Sequence, residues 1–252
     1  MRAITDSATM LRRQIIHIWR YPTLILTYTA VPVVFLLLFV YVFGGAMGAG
    51  IGGDRATYVG YVAPGIMITT IAGAAQGTAI SVAMDMTEGI VARFKTMAIA
   101  RVSVLTGHVL GALVQNFIAI AVVTLVAVLV GFRPSASVPG WLGVAGVLAM
   151  FVFALTWLSV ALAMVTKNVA TASNLPMPLM VLPFLGSGFV PTESMPAPLS
   201  WFAEHQPFTP VIETLRALLA GRPAGASLAE AAAWSAVIAL GGYLWARRLY
   251  NR

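Results

Sequence analysis

Few residues in this 252-residue chain can do chemistry: it has eight acidic side chains, three histidines and no cysteine. Without a thiol, disulfide, thiolate–metal and cysteine-nucleophile chemistry are excluded. His17, His108 and His205 lie far apart and have no clustered acidic neighbours, so satisfied interfacial histidines are a better reading than a metal site. No HExxH, GxSxG or GxxxxGK(S/T) sequence occurs, which removes zinc hydrolysis, elbow-serine hydrolysis and a Walker A nucleotide site. Two groupings of charged residues remain to be weighed. Asp85–Gly107 carries Asp85, Glu88, Arg93, Lys95 and Arg101 around Ile90, Val91, Phe94 and Met97, whose three- and four-residue spacing predicts one apolar helix face. Thr87 can cap such a helix, with Glu88 in its first turn and Arg101 just past its end, as the helix dipole prefers. Asp85 and Glu88 read either as caps and surface ion pairs or as partner-binding groups. Glu213 and Arg216, three apart, can pair across one face of a short helix; buried in the outer leaflet such a pair is costly unless satisfied, which favours a structural role over one in substrate exit.

The elements that position these residues are membrane spans. The chain is 60% hydrophobic and 9% charged, with mean hydropathy +0.90, whereas soluble domains carry roughly 25% charged residues. Six apolar segments are long enough, or nearly so, to cross about 30 Å of hydrocarbon: residues 23–43, 58–84, 105–130, 141–166, 175–190 and 228–246. The first is too long for a signal-peptide core and has Pro32 as a possible kink. Before it, residues 7–20 predict a helix lying in the interface, with Arg12 and Arg13 on its polar side. Gly44–Thr57 reads as a glycine-rich loop. The second segment is rich in small residues, which let membrane helices approach closely. The fifth holds Pro176, Pro178, Pro183, Gly186 and Gly188 and must be distorted. Residues 191–226 form a hydrophilic interval with short helices at Trp201–His205 and Pro210–Leu219, dipping into the outer leaflet.

With the N-terminus in the cytoplasm, eleven basic residues fall inside and four (Arg55, Arg133, Arg216 and Arg222) fall outside. This arrangement explains the net charge of +7 without nucleic acid. Both termini and the 85–104 segment are then cytoplasmic. Thirteen arginines against two lysines hint at a GC-rich bacterial genome. No ionisable residue stands near the middle of a span, so an ion-coupled carrier or channel, the alternative reading, lacks its most expected feature. Gln76, Thr78, Ser81 and Asn116, with Phe184, are the candidates for a substrate pathway, and the weak polarity of the spans favours a greasy cargo.

Two stretches resemble the ABC-2 type permeases, and within them the drug-exporter branch typified by the daunorubicin-resistance membrane subunit. EGIVARFKTMAIARVSVLTGHVLG, Glu88–Gly111, is similar to that family's cytoplasmic segment, with Ala98 where a proline is usual. GFVPTESMPAPLSWFAEHQPFTPVIETLRALLAG, Gly188–Gly221, is similar to its GxFxPxxxMPxxLxxxxxxNPxTPxxxxxRxLxxG region, with Gln206 for the common asparagine. The resemblance implies an all-α membrane protein with six transmembrane helices, an N-terminal interfacial helix and a cytoplasmic coupling helix between spans 2 and 3. It also implies re-entrant extracellular helices between spans 5 and 6. Two such permeases, identical or related, would join two separate ATPase subunits that bind ATP and Mg, leaving this chain without catalysis or cofactor. Glu88, Gly89, Arg93, Phe94, Met97 and Arg101, with Arg12 and Arg13, would dock the ATPase. Pro191, Pro207, Pro210, Glu213 and Arg216 would belong to an extracellular gate region. The implied function is export of hydrophobic or amphipathic compounds, such as drugs or lipids, across a bacterial cytoplasmic membrane.

Overall fold

The computed structural model describes residues 22–87, 101–166 and 168–250, and among them every regular element is a helix. The expected interfacial helix at 7–20 and docking residues Arg12, Arg13, Glu88, Gly89, Arg93, Phe94 and Met97 lie outside the described residues. Arg101 opens a long helix.

The first span is α1, Pro22–Leu38, which passes through a π-helical turn at Phe39–Phe43 into α2, Gly44–Gly50. The predicted glycine-rich loop therefore starts later than expected. Glycine is a poor helix former in water, but in an apolar surrounding its backbone groups have no better partners than one another. Gly48 is required where α2 meets the next element: a Cβ there would stand 2.6 Å from the Asp54 carbonyl oxygen.

Asp54 starts α3, Arg55–Thr87, by accepting the Thr57 N–H and hydroxyl at 2.9 Å each. At the far end the Thr87 hydroxyl donates to the Met84 carbonyl, so Thr87 finishes α3 as well as adjoining the next segment. Helix α4 is Arg101–Val130, ended by Gly131 at φ +122°, and α5 is Val138–Val165, capped by Ser137 accepting from the Gly140 N–H at 3.3 Å. Short elements follow: α6 Val169–Asn174, α7 Met177–Val181, a turn of 3-10 helix at Thr192–Ser194, α8 Ala197–His205 and α9 Phe208–Leu219. Helix α10, Ala226–Tyr250, completes the described chain.

Among the described residues, five helices are long and apolar enough to cross a membrane: Thr29–Gly50, Arg55–Thr87, Val109–Val130, Val138–Val165 and Ala226–Leu249. The expected span at 175–190 is instead the five-residue α7 followed by turns. Pro178 and Pro183 lack the N–H that a continuous helix would use, and Gly186 and Gly188 add freedom where the chain must bend. The short helices between this segment and α10 are present with wider bounds than the spacing indicated.

Helix α3 is the centre, touching α1, α2, α4, α5, α6, α7 and α9. Both α3 and α5 have 67% of their most apolar window buried, against 28% or less for the other three. Between lipid-bathed helices apolar burial gains little by itself, so close packing of small residues has to hold them. Gly65 of α3 shows this: its Cβ would lie 2.9 Å from the Gly188 Cα. Gly242 of α10 shows it again, because a Cβ there would meet the Leu158 backbone nitrogen at 2.7 Å. Beside that contact Trp157 and Tyr243 pack edge to face at 5.0 Å. Buried hydroxyls on the long helices bond within their own helix: Thr69, Thr70, Thr156 and Ser159 each donate to the carbonyl four residues back.

Candidate functional site: the capped end of the bundle

The starts of α3, α5 and α10 and the end of α4 gather at one end of the bundle, where the end of the broken segment and helices α8 and α9 lie. The broken segment 182–190 faces a strict demand there. Irregular backbone inside a membrane protein persists only where its polar groups find partners. Three of its carbonyls do so through side chains from elsewhere. Gln206 Nε2 donates to the Leu182 oxygen at 2.9 Å, Arg216 Nη2 to the Ser187 oxygen at 2.7 Å, and the Tyr58 hydroxyl to the Phe189 oxygen at 3.3 Å. The Ser187 N–H goes to Thr209 Oγ1 at 3.3 Å, and that hydroxyl donates onward to the Ala203 carbonyl at 2.5 Å. A Cβ at Gly186 would stand 2.7 Å from the same hydroxyl, so only glycine fits.

Arg216 joins three elements. Its Nη1 pairs with the Glu213 carboxylate one turn back on α9, and its Nη2 also donates to the Tyr61 carbonyl of α3 at 3.2 Å. Its guanidinium lies 3.8 Å from the centre of the Tyr61 ring. The arginine side chain is 12% exposed and the glutamate 41%, so the pair keeps one foot in solvent and avoids most of the cost of a fully buried ion pair. Around it opens a cleft of about 1070 Å³, lined by Tyr61, Arg133, Pro191, Glu193, Glu213, Arg216 and Arg222. Arg133 is engaged, donating to the Val128 and Phe132 carbonyls at the end of α4 at 2.8 and 3.0 Å. At the start of α3, Asp54 has its carboxyl held below the usual range, chiefly by the Thr57 N–H and hydroxyl.

Of the five predicted gate residues, Pro191, Glu213 and Arg216 meet at this cleft. Pro207 precedes α9 and lines a second groove, and Pro210 is buried in α9, its carbonyl accepting from Thr214 at 2.7 Å. Tyr58, Tyr61, Ser187 and Thr209 were not anticipated. The two tyrosines sit three apart at the start of a span, where they read as an interfacial belt.

None of the five pathway nominees lines the cleft. Gln76 Nε2 donates to the Ser173 carbonyl at 2.8 Å, tying α3 to α6. Asn116 is buried on α4, with Nδ2 donating to the Ala112 oxygen at 2.8 Å and Oδ1 without a partner. Thr78 bonds to Ala74 of its own helix at 3.2 Å, and Ser81 is half-buried on α3. Phe184 stacks on Phe189 at 4.5 Å and meets Phe35 edge to face at 5.7 Å, so it packs the broken segment onto α1 and the π turn beyond it. Among the described residues no group of three metal-ligating side chains occurs.

The pattern of the ABC-2 type transporter family matches residues 6–220. The chain is 27% identical over 222 residues, 85% of its length and 77% of the relative's, to the daunorubicin resistance ABC transporter permease protein DrrB1 of Streptomyces coeruleorubidus. The match takes in the central helix, the broken segment and the two short helices that follow it, and the chain belongs to the ABC-2 type transporter family.

Proposed function

We propose that the chain is the membrane subunit of an ATP-driven exporter for hydrophobic or amphipathic compounds, with ATP and Mg bound by a separate ATPase. The observation that carries this reading is the family match across residues 6–220 in a chain without a Walker A sequence. The relative's drug-resistance role favours a drug-like or lipid-like cargo. Two permease copies, identical or related, enclose the pathway in a bacterial cytoplasmic membrane. The excess of basic residues at one side favours both termini in the cytoplasm and the α8–α9 cap outside, with residues 175–190 making a broken sixth pass alongside α3. Glu88, Gly89, Arg93, Phe94, Met97 and Arg101 dock the ATPase, Phe94 and Met97 through apolar contact and Arg93 and Arg101 by setting register. ATP binding then favours one of two arrangements of the halves through its different affinity for them.

The test is purification from native membranes in dodecyl maltoside. The wild-type chain is expected to carry an ATPase with Walker A and B sequences. Phe94→Asp should insert normally and retain at most about a tenth of that ATPase, the change that about 1.4 kcal/mol of lost docking energy makes. Full co-purification with Phe94→Asp would count against the docking role.

A further inference from the structure

A second groove, of about 810 Å³, runs between α8 and α10, apart from the cleft around Arg216. Trp201 of α8 and Trp234 of α10 line it, 65% and 39% exposed. Two of the chain's eight carboxylates, Glu204 and Glu230, share the groove. Glu230 stands four residues before Trp234 and so shares its face of α10; Glu204 stands three after Trp201 on α8. Among the described residues neither carboxylate has a basic partner, and Glu204 accepts from the Ser200 hydroxyl at 3.3 Å. His205 is engaged with Trp201, its Nδ1 pairing with the Trp201 carbonyl at 2.8 Å and its ring stacking on the indole at 4.8 Å.

Gln206 lines the same groove and is 4% exposed. Its Nε2 donates to the Leu182 oxygen, which fixes the orientation of the amide and leaves Oε1 as a buried acceptor without a donor. An interfacial tryptophan belt accounts for the indoles but not for two unpaired acids beside them in a chain of net charge +7. Indole faces, free carboxylates and a vacant buried acceptor share one complement: a cation that carries N–H donors on an apolar body. A neutral apolar chain would leave the acceptor and both charges unmet, and an anion would be repelled.

We propose that the groove between α8 and α10 binds the ammonium group of an amphiphilic amine, between Trp201 and Trp234, with Glu204 and Glu230 as counter-ions and Gln206 Oε1 accepting an N–H. The proposal concerns binding alone and stands apart from export or ATPase docking. The test uses the full chain in dodecyl maltoside and dansylcadaverine, a primary ammonium on an aromatic body, with its uncharged N-acetyl derivative as control. Energy transfer from tryptophan to dansyl is expected to saturate with dansylcadaverine. The acetylated compound should bind at least tenfold more weakly, and Glu204→Gln/Glu230→Gln should weaken the amine at least tenfold while barely changing the acetylated compound. Trp234→Leu should weaken both. Competition by added phosphatidylethanolamine would assign the natural occupant to a lipid headgroup; its absence would assign it to a free amphiphilic amine, and the site stands in either case. Equal binding of amine and acetylated compound, or wild-type affinity in the double glutamine variant, would overturn the proposal.

Discussion

Arg216 satisfies two backbone carbonyls from two different elements, pairs with Glu213 and covers the Tyr61 ring. A lysine there keeps the charge but lacks the planar fork that reaches several acceptors at once. Arg216→Lys should therefore leave at least one buried carbonyl unpartnered and lower stability by about 2 kcal/mol, read as a fall in the thermal unfolding midpoint in detergent. Asp54 gives a prediction in pH. Its carboxyl is more acidic in the folded chain than the ordinary aspartate because Thr57 donates to its charged form. The stabilisation from this cap is thus fully present above the unfolded value and lost as pH falls through the folded one. Asp54→Ala should be less stable than wild type at neutral pH, and the gap should begin to close below about pH 4. A gap constant from pH 7 to pH 3 would show that the charge contributes nothing.

Among the elements, the contact between α3 and the broken segment is the tightest constraint. Gly65 and Gly188 meet backbone to backbone, and no flexible side chain is available there to give way. Gly65→Val should displace residues 182–190 from α3 and break the Tyr58–Phe189 and Arg216–Ser187 hydrogen bonds together. The expected result is a large loss of folded yield; Gly60→Val, five residues earlier and in open space, should be tolerated. The proline and glycine content of 175–190 announced a distorted segment, and the structure goes further, to a break. What satisfies the freed carbonyls was not legible, because Gln206, Tyr58 and Arg216 reach them from 24, 131 and 29 residues away in sequence. The helical end of the first span was misjudged for a related reason. Glycine propensities measured in water make Gly44–Gly50 a loop, whereas helical hydrogen bonds dominate in an apolar surrounding.

For the whole molecule, hydropathy was enough to recover the membrane class and the spans that stay continuous, and the small residues of the second segment suit the central place that α3 takes. Paired residues on one helix were readable too, as Glu213 and Arg216 show. A pathway through the protein was not, because Gln76, Thr78 and Asn116 each bond to backbone and do not gather in the cleft. Polar residues in spans first satisfy one another and the main chain, so polarity alone does not mark a route. If the cargo passes between two permease halves, its lining comes from faces that one copy leaves exposed, such as Val34, Leu38 and Tyr41 along the first span.

The most direct measurement is transport by proteoliposomes holding the purified chain with or without its co-purified ATPase. A fluorescent amphipathic substrate is expected to move only when both proteins, ATP and Mg are present, and proton or sodium gradients alone are expected to move nothing. Gradient-driven transport by this chain without the ATPase would contradict ATP-driven export.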